Sequence, residues 1–153
     1  MKDPGPALKF GVIGCRHGHV MSQIAELLEI PGAVCAGIYE SDDESAEAVL
    51  ARFDSVKRLD SPDRLLDDPD VTLIGTAEIN RNKAPVILRA LAAGKHVIAD
   101  KPLCTRIEDL NAIEKAATES GLRIGMQLTE RFGGAARRMK ALVAEGAVGT
   151  VAN

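Results

Sequence analysis

The chain has 153 residues, the length of one ordinary domain, and folding at that size buries roughly 68–70% of the unfolded surface. Hydrophobic residues make up 46% and charged residues 27%, which separates the chain from disordered sequences. A formal charge of −3, with no Trp, one Tyr and three Phe, excludes a basic nucleic-acid binder and a stacking platform for single strands or carbohydrate.

Residues 1–7 read as a loose arm, and Leu8–Ile13 as an apolar strand closed by Gly14. Val20, Ile24, Leu27 and Leu28 recur at helical spacing within His19–Ile30, and Pro31-Gly32 stops that helix. Ala33–Tyr39 is a nearly unbroken apolar strand, as expected where both faces are covered. A helix over Ser41–Phe53 follows, with acidic residues in its first turn. Val56–Leu59 reads as a third strand, Ser61–Asp67 as a short helix and Val71–Gly75 as a fourth strand. Then come a helix from about Lys83 to Ala93, a strand over His96–Ala99, an amphipathic helix over Ile107–Ser120 and a strand over Leu122–Gln127. A helix over Ala135–Glu145 precedes another extended run from Val148.

This alternation predicts βαβ units and a doubly wound, mostly parallel α/β sheet of six strands. Ligands of such sheets sit at the carboxyl ends of the strands, near the switch point. No apolar run reaches the roughly 18–20 residues of a membrane helix. The start MKDPGPALKF lacks a signal peptide's apolar stretch, and three Cys suggest reduced thiols, so a cytoplasmic protein is expected.

Gly14-Cys15-Arg16-His17-Gly18-His19 joins the first strand to its helix. Such a turn can offer backbone N–H groups and a helix N-terminus to a pyrophosphate. Against the spacing G-x-G-x-x-G, Gly14 is in register, Arg16 and His19 take the second and third places, and Gly18 is one place early. A tight turn with no ligand is the plain alternative. Arg16 has two readings: it supplies charge to a phosphate, or its bulk blocks the approach. Cys15, His17 and His19 together suggest zinc, but no fourth ligand is evident and no metal is expected. Glu40 follows the second strand, 26 residues after Gly14, where a carboxylate can accept from ribose hydroxyls and repel a 2′-phosphate. That favours NAD over NADP. A surface Glu before an acidic helix cap is the alternative.

The segment Ala93-Gly94-Lys95-His96-Val97-Ile98-Ala99-Asp100-Lys101-Pro102-Leu103 resembles the A-G-K-H-V-x-x-E-K-P-L segment of the Gfo/Idh/MocA family. Gly11–Gly14, Glu40, Thr76, Arg131-Phe132 and Lys140–Val151 extend the similarity along the chain. The resemblance implies a Rossmann domain over residues 1–130 that binds NAD or, second to it, NADP. It implies that Lys101 is catalytic in proton and hydride transfer at a sugar or polyol CH–OH group. Asp100 stands where the family has Glu, and Pro102 is a candidate cis residue that would set the lysine's direction. Gly14, Arg16, His17, Gly18, His19, Glu40, Thr76, Asn80, Asp100, Lys101 and Pro102 are the expected cofactor-binding residues, with Asn80 facing the nicotinamide ribose. The Thr-Pro and following His of many relatives are absent from Thr76-Ala77-Glu78-Ile79-Asn80-Arg81.

Family members run on into a second α/β domain that carries much of the substrate pocket, a general-base His and the oligomer interface. Residues 131–153 are expected to be a bridging helix and the start of such a domain, so little turnover is expected of this chain. An unpaired strand at Val148–Val151 would favour a homo-oligomer. A nucleotide-sensing module without catalysis is the competing reading, and a structural α/β domain with its site shut by Arg16 is a third. Glu130, Arg131, Arg137, Arg138 and Lys140 read as a solvated helix face. Cys35 is expected to be inert and Cys104 accessible.

Overall fold

Five apolar segments pair side by side, all parallel, in the computed structural model, which describes residues 8–150. They are β1 (Lys9–Ile13), β2 (Val34–Tyr39), β3 (Leu73–Thr76), β4 (His96–Asp100) and β5 (Ile124–Gln127), in the order β2-β1-β3-β4-β5. The helices are α1 (Val20–Leu28), α2 (Asp43–Leu50), α3 (Asp63–Leu66), α4 (Asn80–Ala92), α5 (Ile107–Ser120) and α6 (Gly134–Ala144). A 3-10 turn at Thr129–Phe132 precedes α6. The chain leaves β1 for β2 on one side and returns to β3 on the other, so the switch point lies between β1 and β3.

The alternation of side chains in β1 shows why both faces are covered. Phe10 and Val12 enter one cluster with Val20, Ile24 and Leu27 of α1 and Val49 of α2. Ile13 enters the other, with Leu65 and Leu66 of α3, Ile87 and Leu91 of α4 and Ile113 of α5. A period of two places successive residues on opposite faces, and both faces here are apolar. At Gly11 a Cβ would lie 2.5 Å from Leu65 Cδ2, so β1 lets α3 pack close only because that position is bare.

The doubly wound parallel sheet agrees with the sequence; among the described residues it has five strands, not six. Val56–Leu59 makes only one isolated bridge, Ile38 with Arg58. Two backbone bonds flank it, Ile38 N–H to Lys57 O at 2.9 Å and Leu59 N–H to Ile38 O at 2.8 Å. Ser61-Pro62 opens α3 directly afterwards and leaves no length for a strand. Helix α4 starts at Asn80, earlier than expected, and runs through Pro85. The extended run from Val148 is also corrected. Gly146 N–H bonds to Val143 O and Ala147 N–H to Leu142 O, the paired bonds of a Schellman stop. Residues 145–148 are turn, and Val151 lies outside the described residues.

The register of β1 and β2 shifts between Phe10 and Gly11, leaving Ala36 as the extra residue. Gly37 follows with φ +144°, and a Cβ there would meet the Lys57 carbonyl oxygen at 2.9 Å. Gly37→Ala therefore combines a backbone conformation that L residues rarely adopt with a clash against main chain. It is expected to destabilise the domain by about 1–3 kcal/mol in a urea melt, with the slope unchanged.

Candidate functional site

At the switch point the two carboxyl-end loops are fastened to each other through backbone. Ala77 N–H donates to Gly14 O at 3.0 Å, and His17 N–H donates to Ala77 O at 3.0 Å. Gly14 has φ +85°, and a Cβ there would stand 2.5 Å from Glu78 Cβ, so only glycine lets these loops close. Glu78 itself is fixed by its own loop, with Oε1 accepting the Ile79 N–H at 2.6 Å.

The turn after β1 keeps unspent donors. Gly14 N–H goes to Tyr39 O, Cys15 N–H to Glu40 Oε2 and His17 N–H to Ala77 O. The N–H groups of Arg16, Gly18 and His19 have no partner among the described residues. Nothing lies within 4 Å of a Cβ built on Gly18. Free amides, open space and the start of a nine-residue helix together form a cradle for an anion. A phosphate fits this donor set.

Glu40 is buried, 2% exposed, and its carboxylate ties the two walls together. Oε2 accepts the Cys15 N–H at 2.6 Å; Oε1 accepts the Asp42 N–H at 2.8 Å and the Ser41 hydroxyl at 3.4 Å. Arg58 donates to the Glu40 carbonyl from Nε and Nη2, and from Nη1 to Asp43 Oδ1. Beside them a depression of about 540 Å³ is lined by Tyr39, Glu40, Ser41, Arg58, Leu59 and Asp60. Arg16 pairs with Asp42, Nη1 to Oδ1 at 2.8 Å. Asp42 also caps α2, its Oδ2 accepting from the Ser45 N–H and hydroxyl. Those Ser45 bonds, and then Arg16, hold the Asp42 carboxyl below the usual range.

On the other side of the switch point, His19 Nδ1 lies 3.0 Å from Asp100 Oδ1. Asp100, only 1% exposed, ends β4, and Lys101 is exposed next to it. The Lys101–Pro102 bond is cis. Lys101 also lines a depression of about 260 Å³ with Leu128, Thr129 and Arg131. Thr76 is fully buried and its hydroxyl accepts the Glu78 N–H at 3.4 Å, inside the loop. Asn80 opens α4 and its Oδ1 meets Lys83 Nζ at 3.4 Å.

The expected residues thus gather along one edge of the sheet, with the turn, Glu40 and Arg16 at one end and His19, Asp100 and Lys101 at the other. Cys15, His17 and His19 do not converge: His19 turns to Asp100, and Cys15 is buried in the cluster under α1 and α2. Burial, followed by the Glu40 and Glu78 carboxylates, pushes the Cys15 thiol up to about 12. Burial also raises the Cys35 thiol, and Cys104 is half-buried. Two residues were missed. Glu78 follows the third strand by two positions, which was signal enough. Lys83 shares a helical stripe with Ala84, Ile87, Ala90 and Leu91, and a lysine on an apolar stripe is itself a signal.

The family model for an oxidoreductase family with an NAD-binding Rossmann fold, Gfo/Idh/MocA, matches residues 8–128. The chain belongs to this family. It is 36% identical over 93 residues to 1,5-anhydro-D-fructose reductase of Ensifer adhaerens, covering 61% of this chain and 28% of that protein. It is 29% identical over 140 residues to inositol 2-dehydrogenase of Acidothermus cellulolyticus, covering 91% and 40%. An NAD-binding protein from Listeria innocua superposes with a TM-score of 0.82 at 22% identity, over 94% of this chain and 42% of that one, a likeness of fold. The chain spans less than half the length of these relatives.

Two measurements check the site's electrostatics. Cys15 is expected to resist alkylation in the native protein at pH 8 and to react once unfolded, read by peptide mass spectrometry. Asp42 has a folded pKa below its ordinary 3.8, so its stabilising effect is present above that value and lost as pH falls toward the folded one. The fall of Tm below about pH 4 is expected to be shallower in Asp42→Asn than in the parent.

Proposed function

We propose that this chain is the NAD(H)-binding part of an oxidoreductase that acts on a CH–OH group of a sugar or polyol, with Lys101 as the catalytic residue. The observation that carries the reading is the position of Lys101. It is an exposed ammonium at the carboxyl end of β4, beside the buried Asp100 and on the same sheet edge as the anion cradle. An ammonium held there can polarise a hydroxyl or stabilise the oxyanion that forms as its proton leaves. The bound dinucleotide supplies hydride acceptance and donation. Arg16, Gly18 and His19 would hold its pyrophosphate through their amides, and Glu40 its adenosine ribose. The names of the relatives, a reductase of an anhydro-sugar and an inositol dehydrogenase, support the substrate class.

Preference for NAD over NADP is supported by how the nearby cations are spent. A 2′-phosphate would meet the Glu40 carboxylate, while Arg16 is paired with Asp42 and Arg58 with Asp43. Titration with NADH and with NADPH, read by nicotinamide fluorescence, tests this. NADH is expected to bind at least about tenfold tighter, and Glu40→Gln to narrow the gap. Absence of binding by either at millimolar ligand would overturn the reading. Because the chain spans less than half of its relatives, polyol-dependent reduction of NAD by it alone is expected to stay near background.

A further inference from the structure

Lys83 is the one fully buried cation among the described residues, at 0% exposure, and the reading above gives it no task. Its Nζ donates to Asp100 O at 2.9 Å, to Pro102 O at 2.9 Å and to Asn80 Oδ1 at 3.4 Å. An ammonium has three protons, and here three oxygens surround it. Two of those oxygens belong to the residues on either side of Lys101. The third belongs to the first turn of the same helix, α4, so the anchor is rigid on the helix side.

Asp100 is consequently gripped twice. Its carbonyl is held from α4 by Lys83, and its carboxylate from the start of α1 by His19. Lys101 leaves a segment whose main chain is held from α4 and whose Asp100 side chain is held from the start of α1. Burial lowers the Lys83 pKa, and the Asp100 carboxylate opposes that shift. A buried charge is kept only where its partners are in place, and removing either side leaves buried groups unpaired.

We propose that Lys83 is a positioning residue for Lys101, its buried ammonium clamping the Asp100 and Pro102 carbonyls so that the catalytic side chain is presented in one direction. This deepens the assignment of Lys101 and rests on it. The clamp uses main-chain carbonyls and makes no bond to the side chain it presents, although the Lys101 charge adds to burial in lowering the Lys83 pKa. It also leaves Lys101 unpaired, since among the described residues Lys101 has no hydrogen bond or ion pair.

The first test needs no variant. Brief acetylation of the native chain, mapped by mass spectrometry, is expected to label Lys101 at least about 100-fold faster than Lys83. Equal labelling would overturn the clamp. The second test is backbone 15N relaxation of Lys83→Met without cofactor. Order parameters of Lys101 and residues 103–105 are expected to fall from about 0.85 to below about 0.6, while β1 and β2 keep theirs. Unchanged order in 101 and 103–105, or an equal fall throughout the sheet, would overturn positioning in favour of general stabilisation. If Lys83→Met does not fold, Asn80→Ala removes one of the three acceptors and is expected to lower order in 101 and 103–105 alone; no change there counts against the clamp. NADH titration of the same proteins is read separately. Loss of NADH binding by the parent chain would strike the functional reading and leave the relaxation result standing.

Discussion

Buried polar groups at the carboxyl edge of a parallel sheet are costly to leave unpaired, and most of this molecule's loops are arranged by that requirement; Gln23 Oε1 is the exception, buried with no partner among the described residues. Strand ends buried on both faces bring carbonyls and side chains out of water, where an unmatched group costs about 1–3 kcal/mol. Among the described residues the buried polar ones are Gln23, Glu40, Thr76, Lys83, Lys95, Asp100 and Gln127. Six of the seven cluster at that edge: Thr76, Asp100 and Gln127 close strands, Glu40 follows one, and Gln23 and Lys83 reach in from α1 and α4. Lys95 serves the opposite edge, donating to Asp68 O at 2.6 Å. The core and the site are therefore not separate designs. The bonds that seal the top of the sheet also fix Glu40, His19 and Asp100 at the edge where a ligand would sit.

Burial sorts these contacts into fixed and adjustable ones. Glu40 and Lys83 are at or near zero exposure, and each has several partners, so neither can be moved without orphaning main-chain groups. The Arg16–Asp42 pair is different. Both side chains are about one-third exposed, and such a pair is worth roughly 0–1 kcal/mol. It can open at small cost, and Asp42 would still cap α2 through Ser45. This bears on the second glycine position, where Arg16 stands. The side chain is turned toward the β2–α2 loop, and the Arg16 amide remains unspent. In this arrangement its charge is close to the anion cradle without its bulk being the cradle's floor.

The elements were legible where one local pattern decided them. Helix α5 runs from Ile107 to Ser120 as its apolar stripe and the following Gly121 indicate. The apolar runs of β1, β2, β3 and β4 were readable for the same reason, to within two residues. Val56–Leu59 misled because its apolar ends look like a strand, while it makes a single bridge, Arg58 with Ile38 of β2, before Ser61-Pro62 opens α3. The gathering of Gly14, Glu40, Asp100 and Lys101 on one edge was legible from topology alone. The contacts between them were not. Arg16 with Asp42, His19 with Asp100 and Lys83 with Pro102 are long-range pairs, and nothing local specifies them. Lys83 was hidden for a second reason: lysine on a helix is ordinarily solvated, and only its phase against Ile87 and Leu91 marks it as buried.

A lysine that is to do chemistry, the role proposed for Lys101, has to be placed without being used up. Were Lys101 held by its own ammonium, its protons would be engaged before any hydroxyl arrived, and the charge would be partly neutralised. The chain separates the two requirements between two residues of the same type. Lys83 spends its donors on two main-chain oxygens and the Asn80 side chain and is shielded from water, while Lys101, set between the two residues whose carbonyls are held, keeps its donors in solvent. Asp100 makes that division possible, because its carboxylate is taken by His19 and is not the partner that binds Lys101. An acid at this position therefore acts first on the geometry of the strand end, and the availability of the neighbouring ammonium follows from it.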